Sequence, residues 1–514
     1  MTCPRRHCCA VARRLIVGFL VVLHAVVLAS CAKVTPQPDY DRVAGMVRER
    51  TNSPDVFGGA SNDAHEARIR ELLAEGLTVD KTVQLALLNS PEFQALFDQI
   101  GASRADVVQS QLLTNPGMAL TMIWPDGGGR QKIVFNMGQE LVDLWQIPVK
   151  KKIAEAQLEQ AVLSVVHKGI DLATDTRSAA YKLLALQKAE AVAKENVEFV
   201  EKSIRMTEER VKAEKATTVD INRVGALLLD AQLSLLTIQR DLRIARASLA
   251  RTIGLIRQGA NWTLVGDLPD TVLVPSEAEV LEYALTHRLD AQALAKQVEA
   301  SDQQLRRQIL SVFPRIVAGP SVEQKDTKGV PGRNILGDTI RTSIAKNKLT
   351  APTIQSRDQR NLAKSQIIDS LTGFNLALTL PIWDQNQAQI AKARFVVEQR
   401  QRELEGLLNT IAQDVEQAAI AAETAMEVLR LYHGSILPQA ESNFLAARKA
   451  YEEGKQSITA MIEAQKFRMN QRLAEMNAHR ELAVSMAALE RAVGGRLPNL
   501  GVNTPQTSQP TLPN

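Results

Sequence analysis

The feature that most constrains this fold is the interval between Pro148 and Pro269, which contains no proline. Within it, apolar residues recur at alternating steps of three and four, the spacing of a coiled coil. The series comprises Leu183, Leu186, Ala193, Val197, Val200, Ile204 and Val211. A helix over residues 149–212 would be about 95 Å long at ~1.5 Å per residue. The sequence therefore predicts a very long helix, a turn at 213–218 and a second helix that returns to Gly254.

The second half of the chain repeats the plan of the first. Ala86-Leu87 and Ala284-Leu285 lie 198 positions apart, and Ile253-Gly254 and Val493-Gly494 lie 240 positions apart. The matching segments keep their order, which indicates a tandem duplication. The second half carries about 39 extra residues in one polar place, between residues 314 and 390, where loop-forming residues predominate.

The second half should therefore contain a second long hairpin. We expect a helix from about Asn386 to Tyr451, kinked at Pro438 because proline cannot donate a backbone hydrogen bond. Gly454 marks the turn, and a returning helix ends near Gly494. Each half also opens with a shorter predicted helix, over residues 79–113 and 277–310.

Four short segments with a two-residue period follow these shorter helices. In the first half they run through Met118–Trp124 and Ile133–Gly138, with a predicted glycine turn at 127–129. In the second half they lie near 315–322, the weakest of the four, and at Phe374–Leu380. One apolar face at period two suits a barrel strand that faces lipid, although two soluble hairpins packed on helices would also fit. Since open sheet edges are not tolerated in lipid, membrane-embedded strands would require an oligomer, and three copies would supply twelve strands.

The N-terminus has the pattern of an export signal. Four arginines precede an apolar run of about 14 residues, from Leu15 to Leu28, which is shorter than the ~20 residues of a spanning helix. Leu28-Ala29-Ser30-Cys31 resembles the lipobox of bacterial lipoproteins. That resemblance implies cleavage before Cys31 and acylation of its thiol, palmitate included. Ala32 favours sorting to the outer membrane, whereas the alternative is an ordinary signal peptide with a chance cysteine.

Composition argues against several classes of function. The mature chain would keep Cys31 alone, so neither a disulfide nor a free catalytic thiol is expected. The chain has 61 Lys+Arg and 57 Asp+Glu, and the four excess positive charges are the signal arginines, so nothing suggests nucleic acid. No two of the five mature histidines have metal-ligand spacing on one helix, and no phosphate-loop or serine-elbow motif occurs. We therefore expect no catalytic residue, no metal site and no cofactor.

The predicted order of elements is a helix, two strands and a long helical hairpin, and it occurs twice along the chain. This order resembles that of the outer-membrane efflux protein (TolC-like) family. Local motifs agree with it over residues 77–494. The motifs are Ala86-Leu87-Leu88-Asn89-Ser90-Pro91-Glu92, Ala284-Leu285-Thr286-His287-Arg288-Leu289-Asp290, Leu380-Pro381-Ile382-Trp383-Asp384 and Tyr451-x-x-Gly454. Leu289 and Ser90 depart from the family pattern, in which proline follows the arginine and the asparagine directly.

The resemblance implies a mainly α-helical protein with a small membrane β part. Three protomers would form a twelve-strand barrel in the outer membrane of a Gram-negative bacterium, with a helical tunnel through the periplasm. A periplasmic adaptor would join it to an inner-membrane pump, and the channel would be a passive exit duct rather than an enzyme. The expected segments are a signal peptide (1–30), an extended anchor segment (31–76), two repeats (77–268 and 269–497) and a disordered tail (498–514).

The resemblance also nominates residues at the hairpin tips. The acidic positions of the family's tunnel entrance fall on Ala460, a departure, and on Glu463, and their first-half counterparts are Asp220 and Arg223. Rings of Glu463 or Asp220 would favour cations, unless these are ordinary helix N-terminal carboxylates. The candidate adaptor contacts are Lys215, Thr217, Gly454, Lys455 and Ser457. A single-hairpin adaptor protein and a structural coiled-coil lipoprotein remain as alternatives.

Overall fold

The computed structural model describes residues 33–59, 63–74, 76–124, 131–255, 262–270, 276–326, 335–351 and 368–497. The predicted signal peptide, the lipid attachment at Cys31, the glycine turn at 127–129 and the C-terminal tail therefore lie outside the described residues. Predictions about these segments stay predictions.

Long helices dominate the described chain. The helices are α1 (Gln37–Thr51), α2 (Asp63–Ala74), α3 (Val79–Asn89), α4 (Pro91–Ser110), α5 (Asp143–Lys212), α6 (Thr218–Thr252), α7 (Glu277–His287), α8 (Leu289–Leu310), α9 (Ile335–Ala345), α10 (Gln387–Leu431), α11 (Leu437–Glu452) and α12 (Ile458–Val493). The strands are β1 (Gly117–Ile123), β2 (Lys132–Glu140), β3 (Arg315–Asp326) and β4 (Ile368–Thr379).

The chain forms two compact units that do not follow the two repeats. Among the described residues, a helical unit comprises those within 33–106, 156–298 and 399–497, and a sheet unit comprises those within 107–155 and 299–398. Each unit takes segments from both predicted repeats. The duplication is therefore visible in the sequence, whereas in the structure the long helices of both halves lie mainly in one unit and the strands of both halves lie in the other.

The shorter helix that opens each repeat is broken, contrary to the prediction of single helices over 79–113 and 277–310. Ser90 has φ −69° and ψ 116°, and Arg288 has φ −64° and ψ 122°, so the backbone is extended at both points. Pro91 disfavours a helical conformation at the residue before it, which accounts for the break at Ser90, and both breaks lie beside the end of a returning helix. Asn89 Nδ2 donates to the carbonyl of Ile253 at 2.9 Å, and Arg288 Nη1 donates to that of Ala492 at 3.0 Å.

These side chains satisfy carbonyls that a helix end would otherwise leave without partners. The returning helices end in left-handed glycines, Gly254 at φ 73° and Gly494 at φ 86°. A Cβ on Gly254 would lie 2.4 Å from the Asn89 carbonyl oxygen, so only glycine fits there. The predicted ends of both returning helices are confirmed.

The long hairpins agree with the predicted plan in all but two details. Helix α5 begins at Asp143, six residues before the predicted start, and contains Pro148. In the second hairpin the predicted kink at Pro438 takes the form of a π-helical turn at Tyr432–Ile436. Pro438 itself lies in the first turn of α11, where its missing N–H costs nothing.

The segment predicted as an extended anchor is helical over much of its length, so that prediction is wrong. In α1, Tyr40, Val43 and Val47 are buried at helical spacing. Tyr40 packs on Phe97 with ring centroids 5.5 Å apart, and Arg104 holds the carboxylate of Asp39 at 2.6 Å. Prolines at the beginning of a helix are permitted, so the composition of this segment concealed its amphipathic pattern.

The sheet is antiparallel with the order β1-β2-β3-β4. All four predicted strands are present, and β3, predicted from the weakest pattern, is 12 residues long. It pairs with β4 from Arg315–Thr379 to Asp326–Ile368. The insertion between β3 and β4, predicted as polar loop, contains helix α9.

Candidate functional site

One face of the four-stranded sheet is apolar and exposed. The strand registers place Met118 beside Met137 and Leu120 beside Phe135, and Phe135 is beside Val322. The same face continues with Ile133, Ile316, Ala318, Pro320, Phe374, Leu376 and Leu378. Met118 is 73% exposed and Phe374 is 70% exposed. Since a soluble sheet buries its apolar face in a core, this face requires an apolar surrounding.

The opposite face of the sheet consists mainly of small and polar side chains, although Ile123, Val317 and Leu371 also lie on it. Ala119, Asn136, Ser321 and Gly373 form one row, and Ser321 Oγ lies 2.7 Å from Asn136 Oδ1. A neighbouring row contains Gly117, Gly138, Gly319 and Asn375. A Cβ on Gly319 would lie 2.0 Å from the carbonyl oxygen of Met137, so the backbones of β2 and β3 approach too closely here for any other residue. The sheet thus has one apolar face and one face on which small and polar side chains predominate.

The edges of the sheet are open. Within the described residues, β1 pairs with β2 alone and β4 pairs with β3 alone. Their outer backbone N–H and C=O groups are thus available to another strand, as at any sheet edge.

The tips of the two hairpins share one backbone motif. Lys215 N donates to Arg210 O and Lys455 N donates to Ala450 O, each at 2.8 Å. This pattern, with a left-handed residue one position earlier, is a Schellman turn. That residue is Gly454 (φ 72°) in the second tip but Glu214 (φ 56°) in the first. The candidate contacts Lys215 and Lys455 therefore occupy equivalent, exposed positions.

Asp220 serves the structure of its own tip. Its Oδ2 accepts a hydrogen bond from Thr217 N at 2.9 Å, and its own N donates to Thr217 Oγ1 at 3.4 Å, which completes a capping box. Hydrogen bonds from the Thr217 backbone and hydroxyl lower the pKa of Asp220 below its usual value. Ser457, the equivalent N-cap in the second tip, makes no side-chain cap hydrogen bond.

Glu463 lies on the first turns of α12 with its side chain exposed, and no carboxylate stands at Ala460. Arg223, the counterpart of Glu463, donates from Nη1 to Thr459 Oγ1 at 2.8 Å and so links the two returning helices. The structure thus brings Asp220 and Glu463 to the same tip region but gives only Asp220 a local hydrogen-bonding role.

The two tips are fixed to each other by a small core. Arg210 donates from Nη1 to the carbonyl of Tyr451 at 3.0 Å and its guanidinium lies 4.3 Å from the Tyr451 ring centroid. The buried members of the core are Val200, Val224, Tyr451, Ile458 and Met461. Both tips therefore form one surface within the helical unit.

Helix α6 carries an exposed apolar stripe. Val219, Leu229, Leu233 and Leu236 are more than half exposed and lie at heptad spacing. By length and composition alone, α6 is the one helix among those described that could cross a membrane, although its apolar window is only 17% buried. Coiled-coil spacing indicates instead a seam for another helix.

Sequence reasoning missed one cluster of polar side chains. His433, Glu475 and His479 lie with potential ligand atoms within 4.8 Å of one another. Histidine spacing within one helix could not reveal this cluster, and the expectation of no metal site stays a prediction. The spacing rule considered one helix at a time, whereas these histidines come from the two arms of the second hairpin.

Comparison with known proteins agrees with this geometry. Residues 280–495 match the model of the outer membrane efflux protein family. No curated protein sequence matches the chain.

Solved structures of outer-membrane channels have the same fold. The outer-membrane channel OprN is 17% identical, with 86% of this chain and 97% of that chain covered and a TM-score of 0.63. VceC of Vibrio cholerae is 15% identical (84% and 97% covered, TM-score 0.61). The open state of MtrE of Neisseria gonorrhoeae is 16% identical (81% and 89% covered, TM-score 0.60).

At these identities the likeness establishes the fold, and the matched family and structures are channels rather than enzymes. The resemblance drawn from the sequence is thereby confirmed: residues 280–495 match the outer membrane efflux protein family, and the described chain has the fold of these outer-membrane proteins.

Proposed function

We propose that this protein is the outer-membrane channel of a tripartite efflux system, a passive exit duct for substrates that an inner-membrane pump delivers through a periplasmic adaptor. The observation that carries the proposal is the sheet, whose apolar face is exposed while its opposite face consists mainly of small and polar side chains. A closed barrel in lipid needs apolar residues outside and polar residues around its lumen.

The open edges of β1 and β4 call for further copies of the chain. Lipid cannot satisfy unpaired backbone groups, so four strands alone are excluded from the hydrocarbon region. Three copies would contribute twelve strands, above the about eight of the smallest outer-membrane barrels. The exposed stripe of α6 would supply a helix–helix contact between the same copies.

The joined hairpin tips are the proposed site for the adaptor and the tunnel entrance. Lys215 and Lys455 would present equivalent charges to an adaptor, with Thr217, Gly454 and Ser457 shaping the two turns. A ring of three Glu463 carboxylates would line the entrance. Asp220 is the weaker candidate for such a ring because its carboxylate is engaged in the capping box.

The lipid on Cys31 would be a second attachment to the outer membrane. We expect Cys31→Ala to abolish lipid labelling while the trimer still inserts, because the sheet supplies the principal apolar surface. Complete loss of outer-membrane assembly in this variant would contradict the proposal that the sheet is the principal attachment and the lipid the second.

The decisive experiment is single-channel conductance of the purified mature protein in planar bilayers, with its mass measured in the same detergent. We expect a trimer that gives discrete conductance steps. A monomer without conductance would overturn the barrel and leave a helical periplasmic lipoprotein as the better description.

The entrance is tested in the same bilayers. Glu463→Gln should reduce the preference for cations, since three charges would be removed from a narrow pore. Glu481→Gln, an exposed glutamate farther along α12, is the matched control. Equal selectivity of both variants and the parent would remove Glu463 from the entrance.

A further inference from the structure

The second hairpin brings two imidazoles and a carboxylate to one place. His433 Nε2 lies 3.2 Å from Glu475 Oε1, and His479 Nε2 lies 3.9 Å from the same oxygen. The two imidazole rings have centroids 5.4 Å apart. We propose that His433, Glu475 and His479 form a binding site for a divalent transition-metal ion of the zinc class.

The backbone presents these three groups for a definite reason. Glu475 and His479 are four residues apart on α12, so they lie on one face of that helix. His433 belongs to the π-helical turn Tyr432–Ile436, which interrupts the outgoing arm of the hairpin. Such π-turns are rare and occur frequently at functional sites. Here the turn directs the His433 imidazole to Glu475 on the returning arm.

The histidine on α12 is already oriented as metal-binding histidines are. His479 is buried, and its Nδ1 lies 3.2 Å from the carbonyl oxygen of Pro269. A carbonyl can only accept, so Nδ1–H must be the donor, which leaves Nε2 on the side of Glu475. Asp270 Oδ1, 3.5 Å from the same Nδ1, reinforces this orientation. A metal-bound imidazole whose other nitrogen donates to a carbonyl or carboxylate is the usual arrangement.

The neighbouring charges leave room for a cation. A cavity of about 380 Å³ opens beside the cluster, lined by His433, Glu475 and two arginines of α12 among others. Arg472 is paired with Glu195 and Arg468 with Glu441, each at 3.0 Å, so both positive charges are engaged elsewhere. The nearby Glu475 carboxylate raises the pKa of His479, so metal would compete with a proton at this imidazole.

The donor set selects the ion. Two imidazole nitrogens and one carboxylate oxygen suit Zn²⁺, whereas Ca²⁺ and Mg²⁺ require mainly oxygen ligands. Three protein ligands would leave a fourth position open toward the cavity. A bound ion would join the π-turn of the outgoing arm to α12 and so fix the two arms at this level. Metal binding at these side chains would be independent of channel activity.

The test is titration of Zn²⁺ alone into the full mature protein, in detergent, purified without a histidine tag and stripped with chelator. We expect one ion per chain by calorimetry, and visible absorption bands of tetrahedral type when Co²⁺ replaces Zn²⁺. His433→Ala and Glu475→Gln should each lower the affinity for Zn²⁺ by more than about 10–100-fold, which is the loss typical of removing a residue that only supports a ligand. His433 is the safest position to change because its side chain is 44% exposed.

His287→Asn is the matched control, since His287 lies on α7 outside the cluster. It should bind Zn²⁺ as the parent does. The proposal is overturned if the parent binds no Zn²⁺, or if the His433 and Glu475 variants retain its affinity. Loss of conductance with intact Zn²⁺ binding would contradict the proposed channel and leave the metal site standing.

Discussion

The sheet unit and the helical unit differ in whether their apolar side chains are buried. The helical unit buries them in clusters, such as the one that includes Leu85, Leu183 and Leu249, each at most 1% exposed. The sheet unit leaves Met118, Phe374 and their neighbours exposed and is held together by backbone pairing. The helices therefore carry much of their own core, whereas the described sheet leaves an apolar face and two edges uncovered.

The largest expected effect is on the apolar face of the sheet. Phe374→Arg would place a charge in lipid and cost about 2–4 kcal/mol per chain near the bilayer midplane. The trimer should then fail to appear in outer-membrane fractions on unheated gels. Asn375→Arg, on the opposite face of the same strand, should assemble, and equal failure of both would refute two distinct faces.

A smaller effect is expected where β2 and β3 approach each other. Gly319→Ala would drive a methyl group against the Met137 carbonyl and cost about 1–3 kcal/mol as overpacking. Gly373→Ala, on the same face with open space around it, is the control. The heat stability of the assembled protein on gels measures both, and an unaffected Gly319 variant would show that the strands can separate there.

In the helical unit the corresponding comparison is between two left-handed glycines. Gly254→Ala combines an unfavourable φ with a contact at 2.4 Å, whereas Gly454→Ala meets nothing within 4 Å. We expect about 1 kcal/mol of destabilisation at Gly454 and about 1–3 kcal/mol more at Gly254. Thermal unfolding followed by circular dichroism ranks them. If Gly454→Ala destabilised the protein more than Gly254→Ala, the contact with Asn89 would not constrain the residue at position 254.

The smallest expected effect is the difference between removing the N-cap side chain of the first hairpin tip and that of the second. Thr217→Ala removes a cap and should cost about 1 kcal/mol locally, while Ser457→Ala should cost little because Ser457 makes no such hydrogen bond. Amide hydrogen exchange in the first turns of α6 and α12 reports both. A larger increase in exchange in α12 from Ser457→Ala than in α6 from Thr217→Ala would contradict the difference between the two caps.

The same cap has a pH dependence of known sign. The pKa of Asp220 is lowered in the folded chain, so its contribution is present above the unfolded value of 3.8 and is lost as pH falls through the folded value. The difference in exchange between the parent and Asp220→Asn should therefore be present at neutral pH and vanish in acid. A difference that persists in acid would assign the effect to packing.

Periodicity could be predicted because it is a local property of the sequence, and repetition because the two halves share motifs in the same order. The four strands, both hairpins and the terminal glycines Gly254 and Gly494 were all predicted from spacing. The break at Ser90 was overlooked, although Pro91 disfavours a helical residue before it. The break at Arg288 has no such local signal, because Leu289 follows it and the Arg288 side chain donates to a distant helix end. Glu214 in a left-handed conformation was equally invisible, because only its Schellman turn requires it.

The sequence by itself determined the two long hairpins and the alternation of the strands, because both depend on residues a few positions apart. It also showed the duplication, because the two halves share motifs in the same order. Only the tertiary structure decided which side chains meet. His433 and His479 are brought together by the turn at Gly454 and by the rotational phase that the π-turn gives the outgoing arm. Pattern fixes which face of an element is apolar, but the partner of that face depends on where distant segments of the chain return.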